Sequence, residues 1–376
     1  MKVLHFYKTY MPDSIGGIEQ VINQIARGTA RLGITNTVLT ISSSKGHSKI
    51  EIDGHLVHRC KAIFEIASTP FSISVFREFR QLAKEADIIH YHFPYPFADI
   101  LHLISGVDKP TLVSYHSDII KQKSLLKLYR PLMNCFLNSV DHIVAASPNY
   151  LESSGVLSDL NREHKVSVIP YGLDKNNYPN PSKQKLSYWR GRFGPRFFLF
   201  VGVLRYYKGL HILVEAAKET DYPIVILGAG PIEKELKVQA EKLGVNNVHF
   251  IGYQSDDDKV ALLTLCYAVV FPSHLRSEAF GISLLEGAMY GKPLISSEIG
   301  TGTTFININK ETGVVVPPSD PVALRGALDY LWDNQEVAKA MGERAEQRYW
   351  DLFTADKMSE SYAHLYQKLF DEKSAS

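Results

Sequence analysis

The sequence contains few cysteines, no long apolar run and almost no excess of charge. Its 3 cysteines stand at unrelated spacings, which excludes a disulfide framework or a cysteine-based metal site and favours a reducing compartment. No stretch approaches the roughly 20 apolar residues that a membrane-spanning helix needs, and the N-terminal apolar run is too short for a secretory signal. With 41 Lys and Arg against 40 Asp and Glu, nucleic acid is not an expected partner. We therefore expect a cytoplasmic protein that, if it works at a membrane, lies on the inner face of it.

Two consecutive series of apolar runs are present, and each alternates with helical patterns. The first series comprises KVLHFY, NTVLTIS, ADIIHYH, PTLVSYH and DHIVAAS, and the second comprises FFLFVGV, PIVILG, NVHFIG, YAVVFPS and PLISS. Strands that alternate with helices predict an α/β fold of two Rossmann-like, doubly wound parallel sheets facing a cleft. The predicted domains are 1–180 and 181–352, with a polar linker at 174–196 and a C-terminal helix in 353–376 that crosses back to the first domain.

Two glutamates stand eight positions apart in HLRSEAFGISLLEGAMYGKP. Glu278 falls in the loop after a buried strand, whereas Glu286 falls within a helix. The backbone N–H groups of Phe280, Gly281 and Ile282 begin that helix, where its dipole favours a phosphate. This order predicts contacts with a nucleotide sugar, from Glu278 to the sugar, from the amides to the diphosphate, and from Glu286 to the ribose. An isolated pair at this spacing is more often two solvated glutamates, so the prediction depends on the other elements.

Cations and glycines follow other predicted strands. The stretch GVLRYYKGL places Arg205 and Lys208 where a leaving diphosphate needs positive charge. Gly16 and Gly17 follow the first strand and allow the backbone to approach a phosphate closely. The later GAGP lacks the G-x-G-x-x-G spacing of a nicotinamide site, which argues against a dehydrogenase.

A histidine pair and an acidic run carry side chains of the kinds that bind metals. His90 and His92 share one face of a strand, but the sequence shows no third ligand beside them. The run from Asp256 to Asp258 is interpreted as the capped start of a helix. We expect no metal and no other cofactor. His116, at the end of PTLVSYH, is instead predicted to bond a sugar hydroxyl.

Together these elements resemble the retaining, family-four glycosyltransferases with the GT-B fold, over essentially the whole chain. The resemblance is carried by SEAFGISLLE with GKPLISS, by the Gly-Gly loop, by G-x-L-x-x-x-K-G and by TGVVVPPSDP. It implies that Glu278 is a catalytic group near the donor sugar, that Glu286 holds the ribose and that His116 touches the sugar. It also implies that Gly17 and the amides at the helix start cradle phosphates, and that no metal is needed.

One position departs from the family pattern. The resemblance implies that Arg205 and Lys208 bind the diphosphate, but the family usually has an arginine directly after the glycine of this loop. Here that position is Val203, and Arg205 stands two residues further on.

A finer resemblance links HLRSEAFGISLLE and SSEIGTGT to bacterial mannosyltransferases that use GDP-mannose to build O-antigen or other surface polysaccharides. It implies transfer of an α-hexose, mannose, onto a glycan acceptor. The donor pocket is expected to include residues 298–301, with the base near Gly252 and Tyr253. A UDP-sugar-dependent hexosyltransferase of the same fold, a sugar-nucleotide epimerase and a non-catalytic binder of sugar nucleotides remain open alternatives.

The first domain is expected to bind the acceptor. Four cations and no acidic residue occur between residues 119 and 139, namely Lys121, Lys123, Lys127 and Arg130. Leucines are interleaved with them, as in a basic amphipathic helix at a membrane surface, and the acceptor would then be a lipid-linked sugar. The solvated face of a helix packed on the sheet explains the pattern equally well.

Overall fold

The computed structural model describes residues 1–14, 16–42, 47–66, 69–119, 123–161 and 165–375, with the backbone alone described at 66, 69 and 123–125. The chain forms two compact units. Unit 1 comprises Met1–Gly172 and Ala355–Ser376, and unit 2 comprises Leu173–Thr354. The first boundary therefore lies after Gly172 and not after residue 180.

The described part of unit 1 begins with ten strands and six helices. The strands are β1 (Lys2–Phe6), β2 (Thr35–Ser42), β3 (Ser48–Ile52), β4 (His55–Lys61), β5 (Phe64–Ile66), β6 (Thr69–Phe71), β7 (Ile88–Phe93), β8 (Thr111–Tyr115), β9 (His142–Ala145) and β10 (Val166–Val168). The helices are α1 (Gly17–Ala30), α2 (Ser74–Glu85), α3 (Pro96–Ser105), α4 (Lys123–Ser139), α5 (Pro148–Ser153) and α6 (Gly155–Asn161).

The main sheet of unit 1 has the order β10-β9-β8-β7-β1-β2-β4-β3. All pairings are parallel except that of β3 with β4, which is antiparallel. The two-residue turn between β3 and β4 has Asp53 at φ 46° and Gly54 at φ 83°, the left-handed conformations that tight hairpins require. The central strand β7 is buried along its whole length, as expected of a parallel strand covered on both faces.

Unit 2 contains six strands, eight α-helices and two short 3₁₀ helices. The strands are β11 (Phe198–Val201), β12 (Ile224–Leu227), β13 (Val248–Gly252), β14 (Ala268–Phe271), β15 (Leu294–Ser297) and β16 (Gly313–Val316). The helices are α7 (Lys183–Phe193), α8 (Leu210–Ala216), α9 (Glu233–Leu243), α10 (Asp256–Leu265), α11 (Ile282–Met289), α12 (Thr303–Ile306), α13 (Pro321–Asp333) and α14 (Gln335–Leu352), and the 3₁₀ helices are Lys175–Asn177 and Tyr206–Lys208. The sheet is parallel throughout, with the order β13-β12-β11-β14-β15-β16.

Helix α15 (Ala355–Ser374) completes unit 1. It packs closely on α1, because a Cβ atom on Gly28 would lie 1.8 Å from Oγ of Ser359. Its tyrosines also reach the sheet. The hydroxyl of Tyr366 is 2.7 Å from Nδ1 of His90, and that of Tyr362 is 2.8 Å from Oγ of Ser114.

The apolar runs named in the sequence analysis all form strands, whereas the predicted linker is wrong. Residues 174–196 contain a 3₁₀ helix and α7, whose N-cap Ser182 accepts from the N–H of Lys185. Trp189 and Phe193 are buried on one side of α7 and stack at 5.7 Å. A polar composition therefore concealed a helix that is anchored by two aromatic side chains.

Candidate active site

The sheet order of unit 2 creates a crevice between β11 and β14. These strands are neighbours, yet the chain leaves β11 toward β12 on one side and reaches β15 from β14 on the other. Ligands of doubly wound sheets bind at the carboxyl ends of the strands at such a reversal. The loop after β11 carries Lys208, and the loop after β14 carries Glu278. Nζ of Lys208 donates to Oε2 of Glu278, and both side chains are 12% exposed. The two residues singled out from the sequence thus form an ion pair at the switch point.

Glycine at position 209 lets these two loops touch. Gly209 has φ 70°, and a Cβ atom there would lie 2.0 Å from the carbonyl oxygen of Pro272. Any larger residue would therefore push the 3₁₀ helix that carries Lys208 away from the strand end that precedes Glu278. The ammonium of Lys208 also lies 4.6 Å from the ring centroid of Phe271, a cation–π distance.

The GAGP stretch supports the same loop from the other side. A Cβ atom on Gly228 would lie 2.0 Å from the carbonyl oxygen of Gly202, and one on Gly230 would lie 2.3 Å from that of Leu204. The N–H of Leu204 donates to the carbonyl of Ala229 at 3.0 Å. These glycines therefore serve close backbone packing beneath the loop that carries the cations.

His274 lies in the loop after β14 and had no role predicted from the sequence. Its Nε2 is 3.1 Å from the carbonyl oxygen of Tyr206, and its Nδ1 is 3.0 Å from Oγ of Ser319. Because a carbonyl only accepts, Nε2 carries the hydrogen and Nδ1 accepts from the serine. Burial lowers the pKa of His274, which keeps the ring neutral. The ring ties the segment before Lys208 to the end of β14.

Helix α11 begins next to this ion pair. Its N-cap is Gly281, at φ 101°, and Phe280 before it is buried. The N–H groups of Gly281 and Ile282 stand at the head of the helix, where α-helices lack internal acceptors and favour an anion. The predicted helix start is therefore confirmed. The predicted phosphate contacts of Phe280, Gly281 and Ile282 remain predictions.

Glu286 is buried within α11 and is held by two other elements. Its Oε1 accepts from the hydroxyl of Tyr178 at 3.0 Å and from Nζ of Lys259 at 3.0 Å. No described residue bonds the other carboxylate oxygen, Oε2. Burial alone would lower the pKa of Lys259, but the charge and hydrogen bond of Glu286 outweigh it, and the pKa is raised. One oxygen is thus fixed by protein partners, and the contact of Glu286 with a ribose remains a prediction.

The remaining predicted donor contacts lie on separate loops of unit 2. Arg205 is exposed and precedes the 3₁₀ helix that carries Lys208. Gly252 has φ 67°, and its carbonyl accepts from the N–H of Gly228 at 2.9 Å. Tyr253 beside it is 82% exposed, so its ring is accessible for stacking on a base. In the loop after β15, the N–H of Gly300 donates to the carboxylate of Glu298 at 2.9 Å.

The acidic run that follows Tyr253 caps a helix, as the sequence indicates. The N-cap of α10 is Ser255, whose Oγ accepts from the N–H of Asp258 at 3.3 Å. Asp258 in turn accepts from Nζ of Lys185 at 2.8 Å and from the indole of Trp189 at 3.1 Å. These contacts give the carboxylate a structural role.

In unit 1, the Gly-Gly loop is built around a carboxylate. Glu19, in the first turn of α1, is 6% exposed, and its Oε1 accepts from the hydroxyls of Thr9 and Ser14, each at 2.8 Å. A Cβ atom on Gly16 would lie 2.5 Å from Oε2 of Glu19, whereas one on Gly17 would meet nothing within 4 Å. A phosphate at this loop would have to approach that negative charge. The sequence signal for Glu19 is an acidic residue two positions after the glycine pair.

His116 follows β8 and is 4% exposed. Its Nδ1 is 2.5 Å from the hydroxyl of Tyr171, and its Nε2 is 3.0 Å from Nδ1 of His92. Burial lowers the pKa of His116 to about 3, so the ring is neutral at neutral pH. Both nitrogens are already bonded, so a contact with a sugar hydroxyl requires one of these bonds to break.

The prediction that no third ligand lies beside His90 and His92 is wrong, because His5 lies next to them. β1 and β7 are neighbours, and His5 pairs in register with His90. Ring nitrogens of His5, His90 and His92 lie within 4.8 Å of one another, a spacing that could hold a metal ion. All their nitrogens are nevertheless hydrogen-bonded, those of His90 to Tyr366 and Ser114 at 2.7 and 2.8 Å. The cluster therefore offers a metal no donor atom that is not already used.

The predicted basic segment forms α4. Lys121 lies outside the described residues, and of Lys123 only the backbone is described. Lys127 and Arg130 are exposed, and Leu128 between them is 81% exposed. The inner face of the helix is buried through Met133, Phe136 and Leu137. Among the described helices, none combines the length and apolar character needed to cross a membrane.

Comparison with known proteins identifies glycosyltransferases as the proteins that this chain is similar to. The model of the family described as "Glycosyltransferase Family 4" matches residues 15–177, and that of "Glycosyl transferases group 1" matches residues 190–348. D-rhamnosyltransferase WbpZ of Pseudomonas aeruginosa is 59% identical over 376 residues, covering 100% of this chain and 98% of that protein. O-antigen chain mannosyltransferase C of Escherichia coli is 52% identical over 374 residues, covering 100% of both.

The fold has the same assignment. The structure of Anabaena Alr3699/HepE in complex with UDP-glucose is 20% identical, with a TM-score of 0.77, and the match covers 98% of this chain and 100% of that one. Both family models and two full-length relatives therefore agree. The chain belongs to the family 4 glycosyltransferases of GT-B fold, and it is a glycosyltransferase.

Proposed function

We propose that this protein transfers an α-linked mannose from GDP-mannose to a lipid-linked glycan acceptor, with retention of configuration, in the synthesis of bacterial O-antigen or a related surface polysaccharide. The observation that carries the proposal is the Lys208–Glu278 ion pair at the switch point of unit 2, beside the start of α11. The name of the Escherichia coli relative supports mannose and O-antigen synthesis, whereas the Pseudomonas aeruginosa relative is named for D-rhamnose.

The ion pair suits a leaving diphosphate. In the proposed reaction the bond from the anomeric carbon to the β-phosphate oxygen breaks, and the acceptor oxygen bonds the same face of that carbon. The acceptor proton passes to the departing phosphate. Lys208 and the N–H groups at the head of α11 stabilise the negative charge that develops on the diphosphate. Glu278 orients Lys208 and lies where positive charge develops on the sugar. We propose that no metal takes part.

The choice of mannose rests on the chemistry of the relatives' sugars. D-rhamnose is the 6-deoxy form of D-mannose, so the sugars named for the two relatives have the same ring configuration and differ by one hydroxyl group. A pocket that hydrogen-bonds this hydroxyl rejects the deoxy sugar by about ten-thousand-fold, whereas an apolar pocket rejects the hydroxylated sugar by only about a hundredfold. Comparing the rates of transfer from GDP-mannose and GDP-D-rhamnose therefore identifies the donor sugar.

The experiment begins with calorimetry of the protein with GDP, UDP and ADP. Release of GDP from GDP-mannose is then measured with and without a lipid-linked acceptor. We expect selective binding of GDP and release that depends on the acceptor. Selective binding of UDP would refute GDP-mannose as the donor. Turnover without any acceptor would favour a sugar-nucleotide epimerase over a transferase.

Variants divide the roles within the site. Glu278→Ala should lower turnover by about a hundredfold or more, because charge stabilisation of the transition state is lost, while GDP affinity changes little. Glu286→Ala should weaken GDP binding by about tenfold, as expected when a charged hydrogen-bond partner of the ligand is removed. Glu233→Ala removes a surface carboxylate that pairs with Lys237 on α9, and serves as the matched control. Full activity in both site variants would contradict the assignment.

The lipid-linked nature of the acceptor is proposed from α4. Its exposed Lys127, Leu128 and Arg130 offer charge and an apolar side chain to an anionic membrane surface. Reversing both cations to glutamate should abolish binding to vesicles that contain anionic lipid. The matched control reverses the exposed Arg80 and Lys84 of α2. Equal binding by the two double variants would refute a role for α4.

A further inference from the structure

Five side chains of unit 1 form one continuous line of hydrogen bonds. Nε2 of His5 is 3.1 Å from Oδ1 of Asn36, and Nδ1 of His5 is 3.1 Å from Nε2 of His92. Nδ1 of His92 is 3.0 Å from Nε2 of His116, whose Nδ1 is 2.5 Å from the hydroxyl of Tyr171. All five residues are less than 9% exposed. Because these side chains are buried, few water molecules can reach them and exchange protons with them.

The direction of this line is set at Asn36. Its Nδ2 donates to the carbonyls of Ala26 and Ile34 at 2.9 and 3.2 Å, and to Oγ1 of Thr29 at 3.0 Å. The hydroxyl of Thr29 donates its own hydrogen to the carbonyl of Ile25, so it can only accept from the amide. These contacts fix which amide atom is nitrogen. The oxygen of Asn36 must therefore face His5, and Nε2 of His5 must carry a hydrogen.

Each ring then determines the next. A neutral imidazole has one N–H and one accepting nitrogen. Since Nε2 of His5 donates, its Nδ1 accepts from Nε2–H of His92. By the same reasoning Nδ1 of His92 accepts from Nε2–H of His116, and Nδ1 of His116 accepts from the hydroxyl of Tyr171. Burial lowers the pKa of His5 to about 4 and that of His116 to about 3, so neutral rings are the relevant state.

We propose that Asn36, His5 and His92 are positioning residues that hold His116 as the neutral Nε2–H tautomer and commit the hydroxyl hydrogen of Tyr171 to it. Resting on the proposed function, the inference adds that His116 takes no proton from the acceptor during transfer. The histidine at the end of β8 therefore stays uncharged and keeps one fixed tautomer. Its tautomer is determined three residues along the line, at Asn36 on β2.

The experiment substitutes His92 in two ways. In His92→Gln the amide can donate to His5 and accept from His116, which preserves the direction of the line, whereas His92→Leu interrupts it. The control is His142→Gln, which removes a histidine of the same unit whose Nε2 bonds Ser167 at 2.9 Å, outside the line. Tautomers are read from long-range proton–nitrogen NMR spectra of histidine-labelled protein. The His116 signal is assigned from its loss in His116→Gln.

We expect His116 to be the Nε2–H tautomer in the wild-type protein and in His92→Gln, and a mixture in His92→Leu. Turnover should fall about tenfold or more in the leucine variant alone, since a wrongly placed ring hydrogen is costly at a reacting site. An Nδ1–H or charged His116 in the wild-type protein would overturn the proposal. So would a tautomer in His92→Leu that matches the wild type, or a mixture without loss of turnover.

The spectra are recorded without donor, so the assignment of the tautomer does not depend on which sugar is transferred. A wild-type protein that fails to use GDP-mannose would refute the proposed donor only. If His92→Leu does not fold, the pair His5→Gln and His5→Leu repeats the comparison one ring further from His116. A tautomer of His116 that stays the same in both His5 variants would overturn the proposal.

Discussion

Replacing Lys259 by methionine tests the anchoring of Glu286. The substitution removes the ammonium but keeps a long apolar side chain. Removing one partner of a fully buried ion pair costs about 3–5 kcal/mol, because the remaining charge loses its compensation. Here the side chains of Lys259 and Glu286 are 22% and 7% exposed, and the hydroxyl of Tyr178 still bonds the carboxylate. We therefore expect a loss of about 2–3 kcal/mol in the free energy of unfolding of unit 2.

Tryptophan fluorescence during urea unfolding provides the assay. The 3 tryptophans of the sequence, at positions 189, 332 and 350, all lie in unit 2, so their emission follows that unit alone. The control is Lys185→Met, which breaks a pair with Asp258 whose lysine is 32% exposed and which should cost about 1 kcal/mol or less. The slope of the transition should be the same in each variant.

A double-mutant cycle decides whether the charge is responsible. Glu286→Gln neutralises the carboxylate, so Lys259→Met should cost less in that background than in the wild-type protein. A coupling of about 1–2 kcal/mol is expected for groups in direct contact. Coupling below about 0.5 kcal/mol, or equal costs for Lys259→Met and Lys185→Met, would refute the reasoning. GDP affinity should fall together with stability, since Oε2 of Glu286 is then held less firmly.

The remaining predictions concern a loop and the acid stability of unit 1. Gly230→Ala should weaken GDP binding by about tenfold in calorimetry, because its Cβ would lie 2.3 Å from the carbonyl of Leu204 and displace the loop of the cations. Unit 1 should lose stability as the pH falls from about 6.5 to about 4, since the folded pKa values of His5 and His116 are about 4 and 3 and the unfolded chain binds more protons. Between its unfolded and folded pKa values, each of these histidines lowers the free energy of unfolding by about 1.4 kcal/mol for each pH unit. The loss should be measured as amide exchange that becomes faster in unit 1 than in unit 2.

Two variants serve as controls for these predictions. Gly326→Ala adds a Cβ that meets nothing within 4 Å on the exposed side of α13, so it should stabilise unit 2 by about 0.5–1 kcal/mol and leave GDP binding unchanged. Asp99→Asn removes a group whose effect on stability is opposite to that of the histidines. Burial raises the pKa of Asp99 to about 8, so its protonation makes unit 1 more stable as the pH falls. Acid exchange in unit 1 that is unchanged down to pH 4 would contradict the histidine argument.

Ten of the fourteen described strands in the two main sheets could be predicted, because parallel strands covered on both faces are continuous apolar runs, whereas β3, β10 and β16 were not. β4 could not, since it contains His58 and Arg59, which are buried yet polar. Their partners are distant in sequence: Glu78 lies 2.5 Å from His58, and Asp13 pairs with Arg59. A strand whose buried charges are neutralised by distant residues has no local signature.

The site divides in the same way. Glu278 and Lys208 could be placed from the sequence because each follows a strand at the carboxyl edge of a sheet, where topology brings them together. The partners of Glu286 could not, since Tyr178 stands 108 residues before it in the chain. His5 was not recognised as the third histidine of its cluster for a related reason. Its proximity to His90 follows from the adjacency of β1 and β7, which depends on strand order and not on spacing.

The contribution of α15 to unit 1 sets an order of events during synthesis on the ribosome. Residues 173–354 form a contiguous unit and emerge before residue 355, so the nascent chain can complete that unit first. Until α15 is made, residues 1–172 lack the contact of Ser359 at Gly28 and the tyrosine hydroxyls that bond His90 and Ser114. The part of the protein that is made first is therefore the last to reach its native state.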